Sequence, residues 1–407
     1  MEKKITRRLF LTVVGVGVLV VLALPSAVLA QKTEITMGYT LSHSGPYAIG
    51  SMTMHKNNYE LWAEEVNAKG GILVKELGRK LPVKLVGYDD RSDIETAVRM
   101  YEKLMTTDKV DLILPPWGTA MHFAVFPTAT KYKYPLIGTS ATSMKFKEMV
   151  TPYFFHVSPQ PDGMNRALVD LLKHLKGKGK LEKIAVLYVG DLFGIENSAA
   201  TIPLLPVEGF EVADVTSYPL GTQDLSQVLK VLKAKGVDAV VAHAYPPDGM
   251  LLTGQSMGIG FNPSVMYVGV VAALPFYYKE FGKATDGIMG PGSWNRKVPY
   301  PGAKEYYENH VKKWKVEPDH WGGTLNYASL QIIEQAIAKA GSLDREKLRK
   351  VLDTEKFETI VGPVKFTNQF NLELPGMVLQ WQGGINEIIW PQERATAEPI
   401  FPKPAWQ

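Results

Sequence analysis

The sequence predicts an α/β chain of two doubly wound lobes with parallel-rich sheets, joined by a multi-strand hinge. Three observations predict it. Short apolar strands alternate with helical stretches, a spacing that gives right-handed crossovers and parallel sheets. The alternation restarts after Pro152, so the same plan is laid down twice. The segment beyond residue 286 has too few elements for a third domain. It completes the other two, so the chain passes between the lobes more than once.

Taken in order, the chain begins with an address. Lys3, Lys4, Arg7 and Arg8 precede an apolar run from Leu9 to Leu24, and Val28-Leu29-Ala30 supplies small residues before Gln31. That is the layout of a bacterial export signal, cut near Ala30/Gln31. Thr6-Arg7-Arg8-Leu9-Phe10-Leu11 also matches the twin-arginine variant. An uncleaved anchor is the alternative, which Pro25 and Ser26 disfavour.

The first lobe opens with a strand at Ile35–Tyr39. A helix from Gly50 to Lys69 stops at Gly70-Gly71, and a strand follows at Val83–Tyr88. Ser92-Asp93-Ile94-Glu95 forms a capping box before a helix over Ala97–Thr106. A strand at Asp111–Leu114, a helix near Thr119–Lys131 and a strand at Pro135–Gly138 complete it. The second lobe has strands at Ile184–Val189, Glu211–Val215, Val237–His243 and Val265–Gly269. Its helices follow Phe193 and cover Gln223–Lys235, closed by Gly236, and Gly249–Met257. Beyond these, Tyr306–Trp314, Thr324–Ala340 and Arg345–Leu352 read as helices, and Val364–Phe366 and Met377–Trp381 as strands. The expected division is a leader over 1–30, a first lobe over 31–153 and 286–358, a second over 154–285 and 359–390, and a tail over 391–407.

Composition narrows the function. The chain carries a net charge of +4, of which the leader's four cations and Glu2 account for +3, leaving about +1 on the mature chain. Nucleic acid is therefore not an expected partner. The 407 residues include no cysteine. Disulfides, thiolate metal sites and a lipid-anchoring cysteine are thereby excluded. Neither a cofactor nor a metal is expected.

Enzyme signals are weak. Gly254-Gln255-Ser256-Met257-Gly258 fits G-x-S-x-G, but it follows a helical segment instead of turning a strand into a helix. Gly258 is better read as a helix cap. The eight histidines show no metal-ligand spacing, and His122 and His243, near predicted strand ends, read as structural or polar lining. Asp89-Asp90 ends a strand, with one acid expected to cap local structure and the other to meet solvent.

Ligands of open α/β sheets sit at strand carboxyl ends. There the sequence places Ser42-His43-Ser44-Gly45-Pro46-Tyr47, Pro115-Pro116-Trp117-Gly118-Thr119-Ala120 and Thr139-Ser140-Ala141-Thr142-Ser143. Hydroxyls and backbone N–H groups entering helix N-termini suit a carboxylate. Each Ser or Thr taken singly also reads as a simple N-cap. Phe193 and Tyr245 hold equivalent places in the second lobe and suit an apolar or aromatic ligand body.

The order of elements resembles the type I periplasmic binding proteins of branched-chain amino-acid ABC importers, the leucine/isoleucine/valine-binding group with its Venus-flytrap fold. The likeness spans nearly the whole mature chain. It is carried by Ile35–Gly50, Glu64–Ile72, Tyr88-Asp89-Asp90, Pro135–Thr142, Ala244–Asp248 and Ile360–Val364. The resemblance implies a carboxylate grip at Thr119, Ser140 and Thr142. It places second-lobe aromatics at Phe193 and Tyr245, with Trp117, Tyr47 and Gly269 also lining the site. It further implies a periplasmic, monomeric binding protein that delivers its ligand to an inner-membrane ABC permease and catalyses nothing. One departure stands out. The family holds a ligand ammonium with a glutamate where this chain has Val268-Gly269-Val270-Val271-Ala272. A buried ammonium without a countercharge is disfavoured. An aromatic or branched acid without an amine fits better, unless Asp191 or Asp248 supplies the acid and restores a hydrophobic amino acid. The rival functions are a ligand-sensing module of the same fold, of the amide or urea type, and an exported hydrolase using Ser256.

Overall fold

In the computed structural model, residues 32–149 and 151–406 are described. The expected leader and its cleavage point lie outside them. No helix among the described residues is long and apolar enough to cross a membrane.

The strand Ile35–Leu41 lies between Val83–Asp89 and Leu112–Ile113, parallel to both. A second sheet runs Lys356–Thr359, Gly362–Thr367, Phe370–Asn371, Phe154–His156, Leu136–Gly138. The helix Gly322–Ala340 covers both: its Ile333, Ala336 and Ile337 share a small apolar cavity with Leu112, Ile113 and Ile137. The third sheet has seven strands. Lys183–Val189, Ala239–His243, Val265–Val268 and Ile288–Gly292 are parallel within it, Met377–Gln382 runs antiparallel to Ile288–Gly292, and Ile385–Trp390 antiparallel in turn to Met377–Gln382.

The sheets place the chain's crossings differently from the sequence expectation. Phe154–His156 pairs with Leu136–Gly138, so the first crossing comes after His156. Ile288–Gly292 pairs with Val265–Val268, so it belongs to the seven-stranded sheet and not to the first lobe. Gly362–Thr367 joins the sheet of Phe154–His156 through Phe370–Asn371, so the last crossing comes after Asn371. The tail is strapped to the seven-stranded sheet, where Lys403 donates its N–H to Ser264 and the Trp406 indole donates to Phe261.

The first predicted helix is three pieces: Ala48–Gly50, a π-helical stretch Ser51–Lys56, and Asn57–Ala68. It ends at Gly70-Gly71 as expected. A Cβ on Gly71 would lie 2.1 Å from the carbonyl oxygen of Leu81, so only glycine fits. The expected capping box does not form, and the cap lies one residue later. Asp93, not Ser92, caps Ile94–Thr106, accepting from the N–H of Thr96, while Ser92 bonds back to Ser44. Both strand-end acids cap local structure. Buried Asp90 accepts from Thr40, Ser42 and Ser92, and Asp89 from the N–H groups of His43 and Arg91. Gly258 is the last residue of the helix Pro246–Gly258, and the left-handed turn beyond falls on Gly260.

Candidate ligand-binding site

The loops at the strand ends converge. Gly118, with φ of 96°, turns the chain into the helix Thr119–Lys131, which leaves Thr119 in its first turn. The Thr119 hydroxyl oxygen accepts from the N–H of Thr142 at 3.1 Å. Thr142 in turn accepts, at its own hydroxyl, the amide of Asn197 at 2.8 Å. Each hydroxyl therefore keeps its proton free to donate to a carboxylate at this helix N-terminus. Ser140 is turned elsewhere. Its hydroxyl lies 2.9 Å from His55 Nε2 and donates to the Gly322 carbonyl, so it braces the loop from behind.

Four of the sequence-predicted residues form one buried aromatic cluster. The Tyr47 ring meets Trp117 at 5.8 Å and Tyr245 at 5.5 Å; Trp117 meets Tyr245 at 5.3 Å; Phe193 stacks on Tyr245 at 5.0 Å. Trp117 is fixed from behind, its indole donating to Met54 Sδ and its ring lying where a Cβ on Gly50 would collide. Gly269 faces the backbone of Ala244, and its φ of 40° with that close approach excludes a side chain. It shapes the turn before the buried apolar run Val270–Ala273 and adds no lining group.

Two acids border the cluster. Asp191 caps the helix Leu192–Thr201, accepting from Gly194 N–H with Oδ1. Its Oδ2 accepts the hydroxyls of Tyr245 at 2.7 Å and Tyr47 at 3.4 Å. Burial raises its pKa above the usual carboxylate range, against the pull of these hydrogen bonds. Asp248 is committed to a capping box, taking the Tyr245 N–H and the Tyr218 hydroxyl, and burial pushes it up to about 6.

His122 and His243 are both engaged in internal hydrogen bonds. His122 lies inside the helix Thr119–Lys131, not at a strand end; it bonds the Gly118 carbonyl and accepts from the N–H of Thr139. His243 bonds the Thr201 hydroxyl. Burial lowers them to about 4 and about 3. Ser256 is buried inside a helix with its hydroxyl unpartnered, remote from any strand-to-helix turn.

Asn197, Met54 and His55 went unread in the sequence. Asn197 sits on the second turn of a helix whose start was legible, and an Asn mid-helix that bonds across to another loop was the available signal. Met54 and His55 lie on the π-helical stretch, where side-chain direction departs from the α-helical period.

A family model described as periplasmic binding protein matches residues 34–384. The chain belongs to that family. Leu/Ile/Val-binding protein homolog 7 of Brucella abortus is 24% identical over 399 residues, covering 94% of this chain and 98% of its own. The branched-chain amino acid transporter substrate-binding protein LivJ of Streptococcus pneumoniae, solved with isoleucine, superposes with a TM-score of 0.75 at 20% identity. It covers 88% of this chain and 100% of that one. A solute-binding protein of an ABC transporter from R. palustris, solved with benzoate, gives 0.75 at 18% identity, covering 90% and 98%. The fold is thus that of the type I, branched-chain amino-acid binding proteins, and the family is one of solute-binding proteins rather than enzymes. In this binding protein the helix Leu192–Thr201 reaches from one lobe to the other through Asn197–Thr142 and Asp191–Tyr47. A third bond, from Met144 N–H to Glu196 at 2.9 Å, adds to them.

Proposed function

We propose that this is the periplasmic substrate-binding component of an ABC importer, which closes two lobes over a small carboxylate-bearing ligand. Thr119, Thr142, Tyr47, Trp117, Phe193 and Tyr245 are the ligand-binding residues in this reading. The observation that carries it is the pairing of two hydroxyls with free protons at a helix N-terminus with a four-ring aromatic cluster drawn from both lobes. Hydrogen-bond donors at the end of a helix suit the carboxylate, and the rings suit an apolar or aromatic body. The run Val268–Ala272 offers no acid for an α-ammonium, which favours an aromatic or branched acid over a plain aliphatic amino acid. Relatives of the fold solved with isoleucine and with benzoate bracket the same range.

Function follows from the closed state. Contacts that need both lobes form only on closure, so a ligand touching both shifts the population towards it. The closed form is then what an inner-membrane permease meets. The leader over 1–30 directs export, with cleavage near Ala30/Gln31, and the mature protein acts as a monomer.

A thermal-shift screen of the purified protein against aromatic acids, branched acids, amino acids, amides and urea tests the reading. A ligand at a hundredfold excess over its Kd stabilises by about 2.7 kcal/mol. Carboxylates without an amine are expected to give the largest shifts. Shifts confined to amides or urea would assign the fold to sensing instead. Amino-terminal sequencing of the periplasmic protein is expected to begin at Gln31.

A further inference from the structure

The polar groups around the aromatic cluster are separated along one helix. Thr142 is bonded to Asn197, and Thr119 is bonded to Thr142, so both carboxylate-facing hydroxyls gather beside the second turn of Leu192–Thr201. Asp191 caps the start of the same helix. The six residues from Asp191 to Asn197 advance about 9 Å along the axis. Phe193, stacked on Tyr245, lies between the two in sequence.

The Asp191 carboxylate, held also by the backbone of Phe193, keeps one weak contact among its acceptor positions. Oδ1 holds the Gly194 N–H and Oδ2 the Tyr245 hydroxyl. The third contact, from the Tyr47 hydroxyl at 3.4 Å, is long for an O–H···O bond and is the one a better donor displaces.

An α-amino acid carries its ammonium on the carbon beside its carboxylate, so it cannot span from the hydroxyls to Asp191. A flat acid with a donor across the ring can. We infer that Asp191 selects ligands bearing a hydrogen-bond donor at the end opposite the carboxylate, the chemistry of a ring-hydroxylated aromatic acid. The inference rests on the carboxylate-binding reading above and adds to it a second polar pole. A ligand hydroxyl donates to Oδ2 with the proton staying on the ligand. A ring without that donor leaves Oδ2 with the long Tyr47 contact in place of a strong one, a poorer match at a site suited to a donor.

Calorimetry with benzoate, para-hydroxybenzoate and para-fluorobenzoate tests it, the fluorine matching the hydroxyl in size without its proton. The hydroxylated ring is expected to bind roughly tenfold or more tighter than the other two. In Asp191→Asn the ratio is expected to fall towards one. Asn caps a helix as well as Asp, and an unchanged melting temperature of the free variant verifies that the helix start is kept. Tyr47→Phe frees Oδ2 and is expected to keep or widen the preference. Equal affinity for the three ligands overturns this inference alone, as does a preference that survives in Asp191→Asn or vanishes in Tyr47→Phe. Failure of all three to bind overturns this inference together with the aromatic-acid form of the reading above, whereas the carboxylate reading itself falls only if the branched acids of the thermal-shift screen fail as well.

Discussion

The side-chain amide of Asn197 donates to the hydroxyl of Thr142 over 2.8 Å, tying the helix Leu192–Thr201 to the loop after Leu136–Gly138. The same Asn accepts from Asn165, so the tie is anchored in the second lobe by a further buried bond. Asn197→Ala leaves two buried groups without this partner and is expected to cost about 1–3 kcal/mol in urea unfolding. In a double-mutant cycle with Thr142→Val, coupling of about 0.5 kcal/mol or more is expected. Strict additivity would mean the bond does not persist in solution.

Gly194 sits where the strand Lys183–Val189 hands over to the helix Leu192–Thr201. A Cβ there would lie 1.9 Å from the carbonyl oxygen of Val189, a backbone atom that cannot swing aside. Gly194→Ala is therefore expected to destabilise by about 3 kcal/mol or more. It should also weaken ligand binding, because the Asp191 cap and Phe193 move with that turn. A melting temperature equal to wild type would show that the handover is looser than this.

Ser256→Ala gives the opposite sign. The serine hydroxyl is buried without a partner, so its removal is expected to leave the melting temperature level or raise it. Turnover of a test ester that disappears in this variant would revive the hydrolase alternative.

Acidification is expected to destabilise the fold. Burial lowers His122 and His310 to about 4, His156 and His243 to about 3, and His55 well below its usual value. Below an unfolded pKa of about 6.5 the unfolded chain takes up protons that these folded histidines refuse. Their contribution is intact above 6.5 and is lost as pH falls towards 4 and 3, at about 1.4 kcal/mol per unit for each. Asp248 and Asp319, both raised to about 6 by burial, act in reverse: their contribution is present below the usual carboxylate range and lost as pH rises through 6. Asp90 and Asp191 are raised in the same direction, and five histidines against these four acids leave a net loss on acidification, read as a falling urea midpoint between pH 6.5 and 4.5. A midpoint that climbs over this range would mean the acids dominate.

Much of the fold was legible because apolar runs and glycine stops recur at strand and helix spacing. Thr119–Lys131 begins and ends where the sequence placed it, and Gly236 closes its helix in the left-handed conformation. Of the elements that escaped, two did so for different reasons. The helix Pro161–Lys176 carries buried Leu168, Leu171, Leu172 and Leu175 at helical spacing behind a first-turn proline, a signal present and unread. Ile288–Gly292 is Ile-Met-Gly-Pro-Gly, whose glycines and proline argue against a strand; it is one because neighbours on both sides supply its pairing. At the site, the sequence placed the four rings and two threonines where the structure gathers them. The contacts of Ser140 with His55 and Gly322 could not be read from it, because both partners lie in different segments and nothing local to Ser140 encodes them.

Phe370 pairs with His156, and through that pair the second sheet gains its outer strands. A ribosome must make most of the chain before that edge is covered. Until then the nascent amino-terminal half presents an open row of backbone donors and acceptors, the kind of edge that recruits other strands. Pairings so distant in sequence also form slowly. The polypeptide therefore stays unfinished, and open to holding factors, for nearly the whole of its synthesis.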